Sequence, residues 1–304
     1  MRKIFDLPMN NSTSTNDNFK GFLHSEIGVT NPTDSFFHII PAMFEKSVSY
    51  GKGTAKGPLA ILNASQQLEL FDGKGIPARR GIFTQMPLAC ADSAEQGLLE
   101  ISAAISRVLY QKRFPILLGG EHTVTLGALG AIEVQDDLKE KIGVVQFDAH
   151  ADLRDTYEEN TLSHACVMRR ALEMGFPIYQ IGVRSLCSTE AEFRQGRNIG
   201  CYDAEWIARN GIPKKILPTD FPKSIYITID VDVLDPSIMP STGTPEPGGM
   251  TWYQLMDALK RVMAGRQVIG FDVVELAPIK GFSAPDYTCA RMIYNLMGMI
   301  KRIF

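Results

Sequence analysis

Several features that would indicate a membrane, secreted or nucleic-acid-binding protein are missing from this chain of 304 residues. No apolar stretch approaches the roughly 20 residues that a membrane-spanning helix needs, and the N-terminus lacks the apolar core of a secretory signal. Lysine and arginine total 31 against 34 acidic residues, giving a formal net charge of −3, so no basic excess favours nucleic acid. We therefore expect a cytoplasmic protein whose partners are neither membranes nor nucleic acids.

Cysteine is scarce, and the few cysteines are scattered along the chain. Because their number is odd, we do not expect a disulfide framework, and this fits a reducing compartment. Cys166 lies close to His164, which would allow a nucleophilic Cys/His pair. We favour the simpler interpretation that Cys166 is a small buried residue on a helix. The five cysteines are Cys90, Cys166, Cys187, Cys201 and Cys289.

No linker, repeat or shift in composition divides the chain, so we predict a single domain over residues 1–304. Residues 1–35 form a polar N-terminal arm, with a flexible or loosely packed part at 10–18. Beyond it, apolar runs alternate with helical patterns, which predicts an α/β fold with a mostly parallel sheet covered on both faces. We expect strands at 37–41, 114–118, 142–147, 177–182, 199–202, 224–229 and 267–273. We expect helices at 58–67, 124–133, 163–174 and 287–303, and two more that open with capping boxes at Ser93 and Thr251.

Acidic residues follow two of these strands with a spacing of two. Asp148, His150 and Asp152 come after the run 142–147, and Asp230 and Asp232 come after 224–229. If the backbone stays extended there, alternate side chains share one face. The carboxyl ends of strands are where open α/β sheets bind ligands.

A third strand, 114–118, is followed by Gly-Gly-Glu-His and so presents His122 at the same edge. The set contains four carboxylates and two imidazoles. Burying neighbouring carboxylates is costly unless cations neutralise them, which suggests two divalent ions. Oxygen and imidazole ligands suit Mn²⁺, with Zn²⁺, Co²⁺, Ni²⁺ or Fe²⁺ possible. The chain has only five histidines, so the grouping of His122, His150 and His164 is not expected by chance.

These three motifs, at 119–122, 148–152 and 230–236, resemble the metal signatures of the ureohydrolase family, which includes arginases and agmatinases. The resemblance continues through 241–249 and 271–278 and covers roughly residues 45–300. The sequence Thr-Pro-Glu-Pro-Gly-Gly at 244–249 is more similar to agmatinases than to arginases. The resemblance implies a three-layer α-β-α arginase-type fold, two Mn²⁺ ions and a homo-oligomer, either a trimer or a hexamer.

The resemblance also implies individual roles. Asp148 and Asp230 would bridge both ions, with one ion completed by His122 and Asp152 and the other by His150 and Asp232. Asp152 would also contact the attacking water. Glu275 would pair with the substrate guanidinium, Thr244 would assist at the pocket wall, and His164 would shuttle protons. The reaction would release urea and an amine.

The favoured substrate is agmatine, giving putrescine for polyamine biosynthesis. Guanidinobutyrate and other guanidino compounds stay open, because residues 164–167 are His-Ala-Cys-Val where agmatinases often have His-Gly-Thr-Pro. An arginase is a further alternative, although the asparagine-bearing loop typical of arginases is not evident. Asp155, Glu158 and Glu159 either attract a distal ammonium or belong to a solvated loop.

Two other classes of function compete with this one. One keeps the fold and changes the reaction to that of a deacetylase or a formimino-group hydrolase such as formiminoglutamase, with a single zinc ion. The paired Asp230 and Asp232 favour two metals instead. The other is a catalytically silent binding protein. We interpret Asp235 as a turn residue because it precedes Pro236, and Asp272 has no assigned role.

Overall fold

The computed structural model describes residues 19–90, 93–135 and 142–303, with the side chains of 301–303 excepted. Within these residues, short runs rich in β-branched and aromatic side chains form one sheet in the order β2-β1-β3-β8-β7-β4-β5-β6, and every neighbouring pair is parallel. The strands are β1 Phe37–Pro41, β2 Ile82–Thr84, β3 Phe114–Leu118, β4 Ile142–Phe147, β5 Ile178–Ile181, β6 Gly200–Tyr202, β7 Ser224–Asp230 and β8 Gln267–Val274.

Helices cover both faces of the sheet and give it three layers, as expected. One apolar core joins the sheet to α2, α7, α8 and α9, and the other joins it to α3, α4 and α5, with α6 packed at its margin. The helices are α1 His24–Ile27, α2 Gly57–Ser65, α3 Ala94–Tyr110, α4 Val124–Glu133, α5 Val167–Glu173, α6 Ser188–Gly196, α7 Ala204–Asn210, α8 Trp252–Met263 and α9 Ala284–Ile303.

The long periodic segments and the short strand β6 were predicted well, whereas several other short elements were not. Ser93 and Thr251 cap α3 and α8 through the backbone N–H of the residue three positions on. The predicted helix at 163–174 is instead a 3-10 turn, His164–Cys166, followed by α5. The three-residue β2 and the helices α6 and α7 were missed. Their sequences are short or largely polar, so their hydrophobic periodicity is weak.

The N-terminal arm is partly packed. Its residues 1–18, including the predicted flexible part, lie outside the described residues. Further along, Phe22 and Leu23 are buried in the core, and their backbone N–H groups donate to Thr84 Oγ1 and Ser65 Oγ. The packed chain therefore begins before residue 35. None of the helices in the described part of the chain combines the length and apolar character needed to span a bilayer.

The order of the central strands determines where the chemistry can occur. β3, β8, β7 and β4 are adjacent in that order and all parallel. The loops after these four strands therefore meet at one edge of the sheet, and they carry most of the candidate residues from the sequence.

Candidate active site

The loops after β3, β4 and β7 bring together one imidazole and three carboxylates. His122 Nδ1 lies 3.1 Å from Asp148 Oδ2, 3.0 Å from Asp152 Oδ2 and 3.6 Å from Asp230 Oδ2. All four side chains are buried. Candidate ligand atoms of His122, Asp148 and Asp230 lie within 4.8 Å of one another. This is a first group suited to a metal ion.

A second group shares Asp148 with the first. His150 Nδ1 lies 3.0 Å from Asp232 Oδ2 and 3.6 Å from Asp148 Oδ1, and ligand atoms of these three residues also lie within 4.8 Å of one another. The structure thus gathers all six side chains predicted as ligands. Asp148 belongs to both groups, whereas Asp230 belongs only to the first.

The side chains converge through turns, so the extended backbone assumed from the sequence is wrong here. β4 ends at Phe147, and Asp152 has a φ of 52°. β7 ends at Asp230, and Val231–Val233 is a 3-10 turn. Each first aspartate accepts from the backbone two residues on. Asp148 Oδ1 takes the His150 N–H at 2.6 Å, and Asp230 Oδ1 takes the Asp232 N–H at 3.0 Å.

The buried carboxylates of this cluster would be stabilised by a cation beyond those that the described residues supply. Burial, with Asp232 and Asp148 nearby, raises the pKa of Asp230 well above its usual value. Burial and the charge on Asp148 raise the pKa of Asp152 to about 7. Burial alone would lower the pKa of His122, but the neighbouring carboxylates of Asp148 and Asp152 raise it instead.

His122 Nδ1 is buried and has no well-formed hydrogen bond among the described residues. An imidazole nitrogen aimed at three carboxylates, with no partner of its own, fits a divalent ion between them. The other nitrogen, His122 Nε2, lies 2.7 Å from Thr228 Oγ1. The ring is thereby oriented, as is usual for a ligand imidazole. Asp272, which had no predicted role, accepts hydrogen bonds from Thr125 Oγ1 and Tyr226 OH next to His122 and Thr228.

Glu275 follows β8 directly and has a φ of 65°. Its backbone N–H donates to Gly120 O at 2.8 Å, and its Oε1 accepts from the His122 N–H at 2.7 Å. The second carboxylate oxygen accepts from none of the described residues. Glu275 lines the same cavity as the cluster. Burial and the neighbouring Glu121 raise its pKa well above the usual value.

His164 lies at the start of its 3-10 turn, as predicted, and faces the cavity. Its Nε2 is 2.8 Å from Ser49 Oγ and its Nδ1 is 3.2 Å from Ser47 Oγ. Ser47 Oγ also lies 2.8 Å from Glu121 Oε1. Burial lowers the pKa of His164 below its ordinary value, so the ring is largely neutral at neutral pH.

The cavity in front of the cluster has a volume of about 390 Å³. Thr244 and Glu246 form part of its wall, together with Arg154 and Tyr157. The three acidic residues considered from the sequence do not line it. Asp155 is paired with Arg170 Nη2 at 2.7 Å, and Glu158 and Glu159 are exposed. Cys166 is fully buried, and burial raises the pKa of its thiol to about 11, as expected of a structural residue.

Sequence analysis missed several residues around this cavity. Glu121 lies in the motif at 119–122, directly before His122, but no role was predicted for it. Ser47 and Arg184 come from irregular segments that carry no periodic pattern, and Glu190 lies in the short polar helix α6 that was not predicted. Glu246 lies in the run 244–249, but no role of its own was predicted for it.

Comparisons with known proteins agree with this arrangement. Residues 36–298 match the model of the Arginase family. The chain is 37% identical to an N(1)-aminopropylagmatine ureohydrolase of Synechocystis, over 92% of this chain and 93% of the relative. It is 31% identical to an agmatinase of Pyrococcus horikoshii, over 91% and 96%. The agmatine ureohydrolase structure of Thermoplasma volcanium superimposes with a TM-score of 0.83 at 27% identity, covering 93% of this chain and 95% of that one.

Proposed function

We propose that this chain, which belongs to the Arginase family of metal-dependent ureohydrolases, cleaves the guanidino group of a linear amine of the agmatine type. The products are urea and the free amine, which is putrescine when agmatine is the substrate. Relatives 31% to 37% identical are named for N(1)-aminopropylagmatine or agmatine. The proposal covers both compounds, since each joins a guanidino group to an amine.

One observation carries the proposal more than any other. The buried His/Asp cluster and the free oxygen of Glu275 face the same cavity. A guanidinium is a cation and is not itself a metal ligand. Its hydrolysis therefore needs a carboxylate beside the metal centre to hold the carbon in position, and Glu275 meets that need.

The six ligand candidates would hold two divalent ions, one beside His122, Asp148, Asp152 and Asp230 and the other beside Asp148, His150 and Asp232. When bound, such ions supply the Lewis acidity that makes water acidic enough to act as a nucleophile near neutral pH. Asp152, beside His122, is placed to accept a hydrogen bond from that water.

Glu275 binds the guanidinium through its free oxygen, while its Oε1 stays fixed by the His122 N–H. Thr244, which lines the cavity, restricts the position of the bound guanidinium at the cavity wall. His164 lies between two serine hydroxyls, with Nδ1 near Ser47 Oγ and Nε2 near Ser49 Oγ. Its Nε2 can take up a proton and pass it to the departing amine, a role that suits an imidazole near neutral pH.

The proposal extends to the ions, the assembly and the compartment. We assign Mn²⁺ because the ligand set is mainly carboxylate oxygen with imidazole. We also assign a homo-oligomer, trimeric or hexameric, in the cytoplasm. Metal analysis of the purified protein and its mass by light scattering check the first two assignments.

A substrate panel tests the reaction. Purified protein loaded with Mn²⁺ is expected to release urea from agmatine or N(1)-aminopropylagmatine. Arginine and 4-guanidinobutyrate should be poorer substrates by at least about tenfold in kcat/KM, a difference of roughly 1.4 kcal/mol. An Asp148→Asn variant, matched in size, should lose both metal stoichiometry and urea release. If the loaded protein turns over no guanidino compound, the proposal fails.

A further inference from the structure

Five carboxylate residues line the cavity, and four of them already have partners. Asp152 and Asp230 face His122, and Glu275 accepts from its backbone. Glu190 is only 3% exposed and is occupied on both oxygens, by the backbone N–H of Leu153 at 3.0 Å and of Cys187 at 2.9 Å. The fifth residue is Glu246.

The carboxylate of Glu246 accepts no hydrogen bond and forms no ion pair within the described parts of the chain, although its side chain is half-buried against the cavity. Its backbone, by contrast, is fixed. Arg184 Nη2 donates to the Glu246 carbonyl at 2.8 Å and Arg184 Nε to the Pro247 carbonyl at 3.1 Å. The same Nη2 reaches the Asp232 carbonyl at 2.6 Å. The backbone that carries the unused carboxylate is thus held in place relative to the loop after β7.

The cationic side chain on the cavity wall does not neutralise this carboxylate. Arg154 Nε lies 3.8 Å from Glu190 Oε2, and its guanidinium is 5.5 Å from the centre of the Tyr157 ring. The positive charge of Arg154 therefore has its own acidic neighbour. Among the described residues that line the cavity, Glu246 is the carboxylate with no hydrogen bond or ion pair, and a bound molecule would meet its charge.

The loop that carries Glu246 begins beside Glu275. A Cβ atom placed on Gly243 would lie 3.9 Å from Glu275 Oε2, and Gly51 N donates to Gly243 O at 3.0 Å. Glu246 is three residues further along, so its Cα is at most about 10–11 Å from that of Gly243. A guanidinium on Glu275 and an ammonium on Glu246, joined by a short alkyl chain, fit this arrangement.

We propose that Glu246 binds the cationic nitrogen in the tail of the substrate and so selects guanidino compounds that end in an amine. This assignment rests on the proposed function, since it takes the guanidinium to lie on Glu275. A carboxylate that pairs with a cation across a partly closed cavity discriminates strongly against neutral and acidic tails.

The test compares substrates that differ only in the tail. Butylguanidine has the carbon chain of agmatine without the amine, and 4-guanidinobutyrate ends in a carboxylate. Glu246→Gln should lower kcat/KM for agmatine by about 10- to 100-fold, mainly through KM, because a charged hydrogen bond is lost. The affinity of butylguanidine, measured as a substrate or as a competitive inhibitor, should change less than about twofold. Glu246→Asp, which keeps the charge, should retain part of the selectivity.

Glu159→Gln is the matched control. It removes the same charge from the exposed loop beside Tyr157 and should leave both compounds unaffected. The assignment is overturned if Glu246→Gln keeps the preference for agmatine over butylguanidine, if both compounds weaken equally, or if Glu159→Gln causes the loss instead. Failure of the proposed function gives a different result, since the unaltered protein would then hydrolyse neither N(1)-aminopropylagmatine nor any of these three compounds.

Discussion

His164 shows how a single side chain is prepared for a role by residues far away in sequence. Glu121 is fully buried, and its carboxylate accepts from the backbone and hydroxyl of Ser47 and from the hydroxyl of Thr123. With its proton directed to Glu121, the Ser47 hydroxyl is left to accept from His164 Nδ1. This arrangement favours the tautomer with the proton on Nδ1 and leaves Nε2 for Ser49 or the substrate.

Replacement of this histidine should affect turnover and spare the metal centre. We expect His164→Asn to lower kcat by about 10²- to 10⁴-fold, the usual contribution of general acid–base catalysis, with bound metal unchanged because His164 belongs to neither ligand group. Urea release and metal content would be measured on the same preparation. His24→Asn, at a histidine in α1 outside the cavity, serves as the control. A loss of metal in His164→Asn would contradict the assigned role.

At the scale of elements, the loops of the site are joined by one side chain. Arg184, just after β5, donates to carbonyl oxygens of Gly182 and of the loops after β7 and before α8. Those loops carry Asp232 and Glu246 respectively. Because lysine has a single nitrogen in place of a planar fork, it cannot reach all of these oxygens together.

Arg184→Lys should therefore loosen two loops at once. Loss of charged hydrogen bonds is expected to cost about 1.5–3 kcal/mol and to lower the melting temperature by several degrees. The KM for agmatine should rise more than kcat falls, because the loop of Glu246 is released. Arg209→Lys, at an exposed ion pair with Glu205, should leave both quantities unchanged. Equal effects of the two substitutions would show that the contacts of Arg184 are not specific.

The same loops explain what sequence could and could not predict. Buried parallel strands such as β3 and β4 are continuous apolar runs, so their ends, and hence Asp148 and His122, were located correctly. The positive φ of Asp152 and the turn at 231–233 break the alternation of side chains that an extended strand end would have. The partners of His164 and the Arg184 contacts join segments that are distant in sequence and irregular in structure, which no local pattern reveals.

At the scale of the whole molecule, the fold buries carboxylates together at one edge of the sheet, and the described residues do not fully neutralise their charge. Burial and the charge on Asp148 raise the pKa of Asp152 to about 7 in the folded protein, whereas the pKa of an unfolded aspartate is about 4. His150 keeps its proton to about pH 12, since Asp148 and Asp232 outweigh the effect of burial on its pKa. At these two groups the folded, metal-free protein therefore binds more protons than the unfolded chain.

Metal-free protein should consequently lose stability as pH rises. Each raised pKa contributes stability that is complete below the unfolded pKa and disappears as pH rises through the folded pKa, at about 1.4 kcal/mol per pH unit for each proton. Divalent ions displace those protons and bind more tightly at high pH, so their stabilising effect should grow in the same direction.

The measurement is thermal unfolding of chelator-treated protein at about pH 6 and about pH 8.5, with and without excess Mn²⁺. We expect a lower melting temperature at the higher pH without metal, and a larger increase on adding Mn²⁺ there. In Asp152→Asn the metal-free decrease should be smaller, because one titrating group is removed, whereas His164→Asn should retain it. A metal-free melting temperature that stays constant or rises with pH would mean that these carboxylates and imidazoles do not share protons as their geometry requires.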